Sequence, residues 1–170
     1  MFVHPGTRGL GLEIFDEYYL WNAVANPVET AIAGAQMVMS GLFERHSQLR
    51  VLLAHGGGVL PALAGRLERA WHVRDESRRD LREGPQASVR RMYFDTVTHD
   101  DARFTSLVSF LGASHVLLGS DHPFDMGSDD PVAAVRTIGL TAADGQLVLG
   151  DNARSLFAQG GLAGPAPRAP

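Results

Sequence analysis

The sequence predicts an α/β fold in which four βα units follow one another and their strands form a parallel sheet. Short apolar runs at 1–3, 51–54, 92–94 and 116–118 have the length and composition of buried parallel strands. Turn residues follow three of them at once: His4-Pro5-Gly6, His55-Gly56-Gly57-Gly58 and Asp121-His122-Pro123. Between the runs, apolar residues recur at helical spacing, which is the alternation expected of βαβ units.

The elements follow in order. Residues 1–3 form the first strand. Asn26-Pro27-Val28-Glu29 has the form of an N-cap, a proline at the first helical position and a glutamate reaching back to the cap. The helix it opens buries Val28, Ala31, Ile32, Ala35, Val38, Met39 and Leu42 and runs to about Arg45. The second strand, 50–54, leads into the three glycines. A helix from Pro61 to about His72 buries Leu63, Leu67 and Trp71.

Residues 74–91 carry charges of both signs, with Gly84-Pro85 as a breaker, and are expected to be a polar helix end and a loop. Met92-Tyr93-Phe94 is a strand ending at Asp95. Asp100 caps a helix through Leu111, which Gly112 stops. After the strand at 115–119 come short helices at 131–138 and 142–149, then a last helix from Asp151-Asn152. Residues 1–159 make the domain; 160–170 (GLAGPAPRAP after Gly160) have the composition of a disordered tail.

Bulk properties exclude several functions. The chain has 170 residues, 45% hydrophobic and 20% charged, with a net charge of −4. It lacks the basic excess that nucleic-acid binding requires. No apolar stretch approaches the roughly 20 residues of a membrane helix, and no signal peptide is evident, so a cytoplasmic location is expected. Without cysteine there is no thiolate metal site, and without lysine neither Schiff-base chemistry nor a carbamylated-lysine bridge.

In α/β folds the ligand site lies at the carboxyl ends of the strands. His4, His55 and Asp121 all occupy such ends, and two imidazoles with a carboxylate suit a divalent metal or acid–base chemistry. The glycines after His55 permit close approach of a ligand to the backbone. His122 is a candidate substrate contact. Asp95 and His99 flank a further strand end, where a site role and plain loop hydrogen bonding are both open. Asp125, Asp129 and Asp130 read as loop caps. Arg66, on the helix after the glycines, could clamp a carboxylate. Arg69, Arg74, Arg78, Arg79 and Arg82 alternate with acids and read as a solvated face.

MFVHPG, the stretch NPVETAIAGAQMVMSGLFERHSQLRVLLAHGGG, YFDTVTHD, LLGSDHPF and GDNARSLF together resemble the C-terminal half of amidohydrolase-related proteins. Within that group the likeness is greatest to aminocarboxymuconate-semialdehyde decarboxylase and its relatives. The resemblance implies half of a (β/α)₈ barrel with a divalent metal at the strand ends, zinc first and manganese as the alternative, and no nucleotide cofactor. It implies His4 and Asp121 as metal ligands, Asp121 and His55 as catalytic groups with His55 the acid–base, and Arg66 reaching the substrate carboxylate of a neighbouring subunit in a homodimer.

The implied reaction is decarboxylation of a small unsaturated or aromatic carboxylate. The alternatives are hydrolysis of a lactone, ester or amide, and a non-catalytic remnant or assembly subunit. The His-x-His pair of the family's first strand has no counterpart in this sequence. Half a barrel would expose two sheet edges, so association with an N-terminal half, and Met1 as an internal methionine of a longer protein, are expectations as well.

Overall fold

The computed structural model of the chain describes residues 1–6 and 9–159. Four parallel strands, β1 (Phe2–Val3), β2 (Leu52–Leu53), β3 (Tyr93–Asp95) and β4 (Val116–Leu117), form one sheet in the order β1-β2-β3-β4. Phe2 pairs with Leu52, Leu52 with Tyr93, and Phe94 with Val116. Each new strand is added to the same side of the last. This is the winding of a (β/α) barrel, without the reversal of strand order that marks a doubly wound sheet. The fold is α/β and partial, as expected.

The ladders cover only two or three residues, yet single bonds extend them. Ala54 N donates to Val3 O at 3.0 Å and Tyr93 N to Val51 O at 2.8 Å. Val51, Leu53, Met92, Phe94 and Val116 are completely buried, which explains why these runs are continuously apolar.

Helices α1 (Asn26–Met39), α2 (Leu42–Arg45), α3 (Leu60–Val73), α4 (Asp75–Arg78), α5 (Pro85–Val89) and α6 (Asp101–Leu111) fill the first three crossovers. Helices α7 (Pro131–Thr137), α8 (Ala142–Gln146) and α9 (Asn152–Gln159) follow β4. Val38, Phe43, Leu60, Val89 and Phe104 from these helices close over the strand residues to make one core. As the sequence predicts, Asp100 accepts a hydrogen bond from Arg103 N at 2.7 Å and caps α6.

Three local expectations are corrected. Asn26 does not cap α1: a π-turn at Trp21–Ala25 runs straight into the helix, and Asn26 already has helical dihedrals. Glu29 therefore does not fold back on a cap but accepts from Gly6 N at 3.3 Å. The charged stretch is not all loop, because Gly84-Pro85 opens α5, whose Pro85, Ser88 and Val89 are buried. Its first-turn Gln86 N–H is satisfied by Glu68 of α3 at 3.1 Å, and Glu44 of α2 accepts from Arg82 N and Glu83 N. Finally, α8 and α9 are one helical run joined by a π-turn at Leu147–Asp151. Asn152, expected near a helix start, is buried within the run and donates to both Ala113 O and Val116 O at 2.7 Å, tying it to β4. The predicted tail at 160–170 lies outside the described residues.

Gly58 holds α1 against the glycine turn: a Cβ there would meet Pro27 O at 1.9 Å, and φ is +59°. Because the obstacle is backbone, no rotamer change relieves it. Gly65, within α3, faces open space. Gly58→Ala is expected to lower stability by at least about 2 kcal/mol. Gly65→Ala should raise it by about 0.5–1 kcal/mol. Urea-unfolding midpoints of the two variants check both signs.

Candidate functional site

The three predicted residues stand side by side at the carboxyl ends of β1, β2 and β4. His4 directly follows β1. After β2 the chain enters the left-handed region for four successive residues, His55 (φ +56°), Gly56, Gly57 and Gly58. Only the first has a side chain, so the turn presents one imidazole and keeps bulk away from the rest. A Cβ on Gly57 would lie 2.4 Å from the Phe94 ring. Asp121 is left-handed too, at φ +58°. A non-glycine residue held this way costs about 1–3 kcal/mol, and such costs are found where a side chain must be aimed.

Asp95, at the end of β3, holds these turns. Its Oδ1 accepts from Gly56 N at 2.8 Å and from Val97 N at 3.1 Å. Thr96 continues the lacing: its hydroxyl donates to Gly119 O at 3.3 Å and accepts from Gly119 N at 3.1 Å. Burial raises the Asp95 carboxyl above the usual carboxylate range, while the two backbone N–H groups and His55 oppose that shift.

His4 Nε2 lies 3.1 Å from Asp121 Oδ1, and His55 Nε2 lies 3.4 Å from Asp121 Oδ2. The donor atoms of all three residues fall within 4.8 Å of one another. His4 Nδ1 is 2.9 Å from Pro5 O, and a carbonyl only accepts, so Nδ1 carries the proton and Nε2 offers its lone pair. A lone pair beside a carboxylate oxygen needs a shared cation, either a proton or a metal ion. Donors each about 2.1 Å from one metal stand about 3.0–3.4 Å apart, the spacing of each histidine Nε2 from its nearer Asp121 oxygen. Two imidazoles and a carboxylate are a donor set that suits a divalent transition metal.

A cavity of about 610 Å³ opens beside the trio. His55 and Asp121 line it and His4 does not. Phe124 stacks on the His4 ring at 5.8 Å. Tyr19 donates to both carboxylate oxygens of Asp125, at 2.8 and 2.9 Å, clasping the segment after β1 to the loop after β4. Asp125, expected only to cap its loop, thus joins two loops. The same hydrogen bond raises the Tyr19 pKa.

The other predicted residues fare differently. Arg66 is exposed on α3 and does not reach the cavity of its own chain. His122 is also exposed and outside the cavity lining; its backbone N donates to Ser120 Oγ. His99 lines the cavity, and so does Arg103, which the sequence reading passed over. Arg103 is in the first turn of a capped helix, a position that in sequence looks like ordinary surface.

Asp95→Ala would leave two buried N–H groups without an acceptor and should cost about 2–5 kcal/mol, with Asp95→Asn costing less because it keeps an acceptor. The folded-state pKa is raised, so the folded chain holds this proton more tightly than the unfolded one. The group's contribution is present below about pH 4 and is lost as pH rises through the range where the buried carboxyl ionises. Asp95→Asn should therefore gain on the wild type as pH rises, as measured by unfolding at several pH values.

The amidohydrolase family model matches residues 1–159. The chain is 31% identical over 139 residues to the 2-amino-3-carboxymuconate-6-semialdehyde decarboxylase of Dictyostelium discoideum, covering 81% of this chain and 38% of that protein. It is 26% identical over 141 residues to the gamma-resorcylate decarboxylase of a Rhizobium species, covering 76% of this chain and 40% of that one. Among solved structures, the apo form of the Metarhizium anisopliae IDCase superposes with a TM-score of 0.79 at 27% identity, over 92% of this chain and 48% of that one. A manganese-bound dihydroxybenzoic acid decarboxylase from Polaromonas shares the fold at a TM-score of 0.78 and 21% identity, over 94% and 49%. The chain thus spans about two fifths of these curated relatives and about half of these structures. With the family model matched over nearly its whole length and the four βα units in barrel order, the chain belongs to the amidohydrolase family.

Proposed function

We propose that this chain carries part of the active site of a metal-dependent decarboxylase acting on a small unsaturated or aromatic carboxylate. The observation that carries this reading is the division of the trio: donor atoms of His4, His55 and Asp121 converge, but only His55 and Asp121 face the cavity. His4 Nε2 and Asp121 are then the ligands of a divalent metal. His55 is the group aimed at substrate. The decarboxylase names of the relatives and the manganese in a structural neighbour support the chemistry and favour manganese over zinc.

In this reading His55 holds a proton at Nε2 and delivers it to the ring or chain carbon that bears the carboxylate. The C–C bond then breaks, its electrons stay with that carbon, and carbon dioxide leaves. Bound metal would supply a Lewis-acid contact that orients the substrate's oxygens. Asp121 Oδ2 lies 3.4 Å from the same His55 Nε2 and orients the ring. The apolar residues of the cavity, Leu107 and Phe110 among them, exclude water from the reacting carbon. Arg66, exposed on α3, is left free to serve the site of a neighbouring subunit.

Calorimetric titration of Mn²⁺ and Zn²⁺ into the metal-free chain should show one site. His4→Ala and Asp121→Ala should each weaken it at least about tenfold, whereas His55→Ala should keep it. Carbon dioxide release from a panel of hydroxybenzoates should fall by about 10²–10⁴ in His55→Ala. Metal loss in His55→Ala as severe as in His4→Ala would sink the division of roles. Acid release from esters or lactones without carbon dioxide release from any acid would sink the decarboxylase reading.

A further inference from the structure

Among the described residues, Leu10, Tyr18, Tyr19, His55, His99 and Asp121 hold left-handed backbone without being glycine. His55 and Asp121 belong to the trio, and His99 lines the cavity. Tyr18 and Tyr19 are neighbours, at φ +55° and +60°, and neither lines the cavity. Bulky residues are rare in this region, and two in succession need a reason. The phenol of Tyr19 supplies one, because it donates to both oxygens of Asp125, 106 positions along the chain. Tyr19 is itself anchored: its carbonyl accepts from Asn22 N at 3.1 Å and Ala23 N at 3.0 Å, at the start of the helical run into α1. Its ring meets Trp21 edge-on, with centroids 4.8 Å apart. Asp125 lies in a loop tied to Asp121, since Phe124 N donates to Asp121 O at 3.0 Å and Ser128 N to Ser120 O at 2.8 Å. Next to Asp125, the Phe124 ring stacks on His4 with the planes 19° apart. Phe124 is 58% exposed, so core packing does not fix it there.

We propose that Tyr19 is a positioning residue: through Asp125 it fixes the loop after β4, so that Phe124 lies against the His4 ring and Asp121 faces His4 Nε2. This rests on the reading of His4 and Asp121 as metal ligands and adds the device that sets the pair in advance. A single exposed tyrosine–carboxylate bond contributes little to global stability, so its effect is local. Without it, the loop has to be ordered when the ligands close on a metal ion, and that ordering weakens affinity. The strain at Tyr18 and Tyr19 then has the same purpose as the strain at His55 and Asp121, which is to aim a side chain.

Two measurements on the whole chain test it. In the metal-free protein, NMR signals of the His4 ring should carry an upfield ring-current shift from Phe124, with Phe124→Leu setting its zero. Tyr19→Phe should lose most of that shift, while the His115 ring, stacked on Tyr93 at 4.8 Å, stays unmoved. In calorimetric titrations with Mn²⁺, Tyr19→Phe and Asp125→Ala should each weaken binding about three- to tenfold. The double variant should bind no more weakly than either single one, because both remove the same bond. Asp125→Asn keeps an oxygen for the phenol and should retain most of the affinity. Tyr18→Phe, which removes an exposed hydroxyl one residue away, should change neither measurement. Unchanged His4 signals or unchanged Mn²⁺ affinity in Tyr19→Phe, equal movement of His115, or additive losses in the double variant overturn the role of Tyr19 and leave the site reading standing. If the wild type takes up no Mn²⁺, the metal reading falls, and the His4 signals alone decide whether Tyr19 sets the loop.

Discussion

The geometry of the strand ends depends on one buried carboxylate. Asp95 accepts from Gly56 N and Val97 N, and so joins the loop after β2 to the loop after β3. Thr96, its neighbour, is bonded twice to Gly119 and passes the connection to the loop after β4. His55 and Asp121 both stand in left-handed backbone, a conformation that a free loop would leave. The lacing holds them there. Burying a carboxyl is costly in itself, and the two N–H bonds are what make Asp95 tolerable in that position. Strain and desolvation are thus gathered beside the site, where they aim side chains, while the core below is ordinary apolar packing.

From that constraint follows a site with two sides. His4 Nδ1 is held by Pro5 O and its ring stacks on Phe124, which leaves Nε2 turned toward Asp121. His55 looks into the cavity. Asp121 faces both histidines with separate oxygens. The Tyr19–Asp125 clasp draws the first and last loops together across the same mouth, although about a hundred residues separate them. The metal-holding and substrate-facing sides proposed above would follow from where the loops are tied.

Much of this was legible in sequence because the signals are local. A run such as Val51-Leu52-Leu53-Ala54 followed by three glycines announces a buried strand and a tight turn, and the three site residues follow from reading what comes next. In most of the misreadings the deciding partner is remote in the chain. Asn26-Pro27 looks like a helix start, yet the preceding π-turn continues the helix, and Glu29 finds its partner in Gly6. Gly84-Pro85 looks like a breaker, yet Glu68 satisfies a first-turn N–H of a buried helix. Asn152 looks like the start of a helix and instead sits within a helical run that it ties to β4.

The sequence by itself determined the fold class, the strand ends and the trio, because strand burial and turn chemistry are written in neighbouring residues. Tertiary structure decided which charged side chains meet the cavity. Arg66, midway along α3, and Arg103, in the first turn of α6, are both arginines on a helix that follows a strand end, and spacing alone does not say which meets the cavity. The packing of α3 and α6 against the sheet leaves Arg66 outside and brings Arg103 to the wall. A helix's rotation about its own axis is set by its buried residues, here Leu60 and Ala64 in one case and Phe104 and Leu107 in the other. What those residues bury against lies on strands distant in the chain, and that contact is made only when the sheet is assembled.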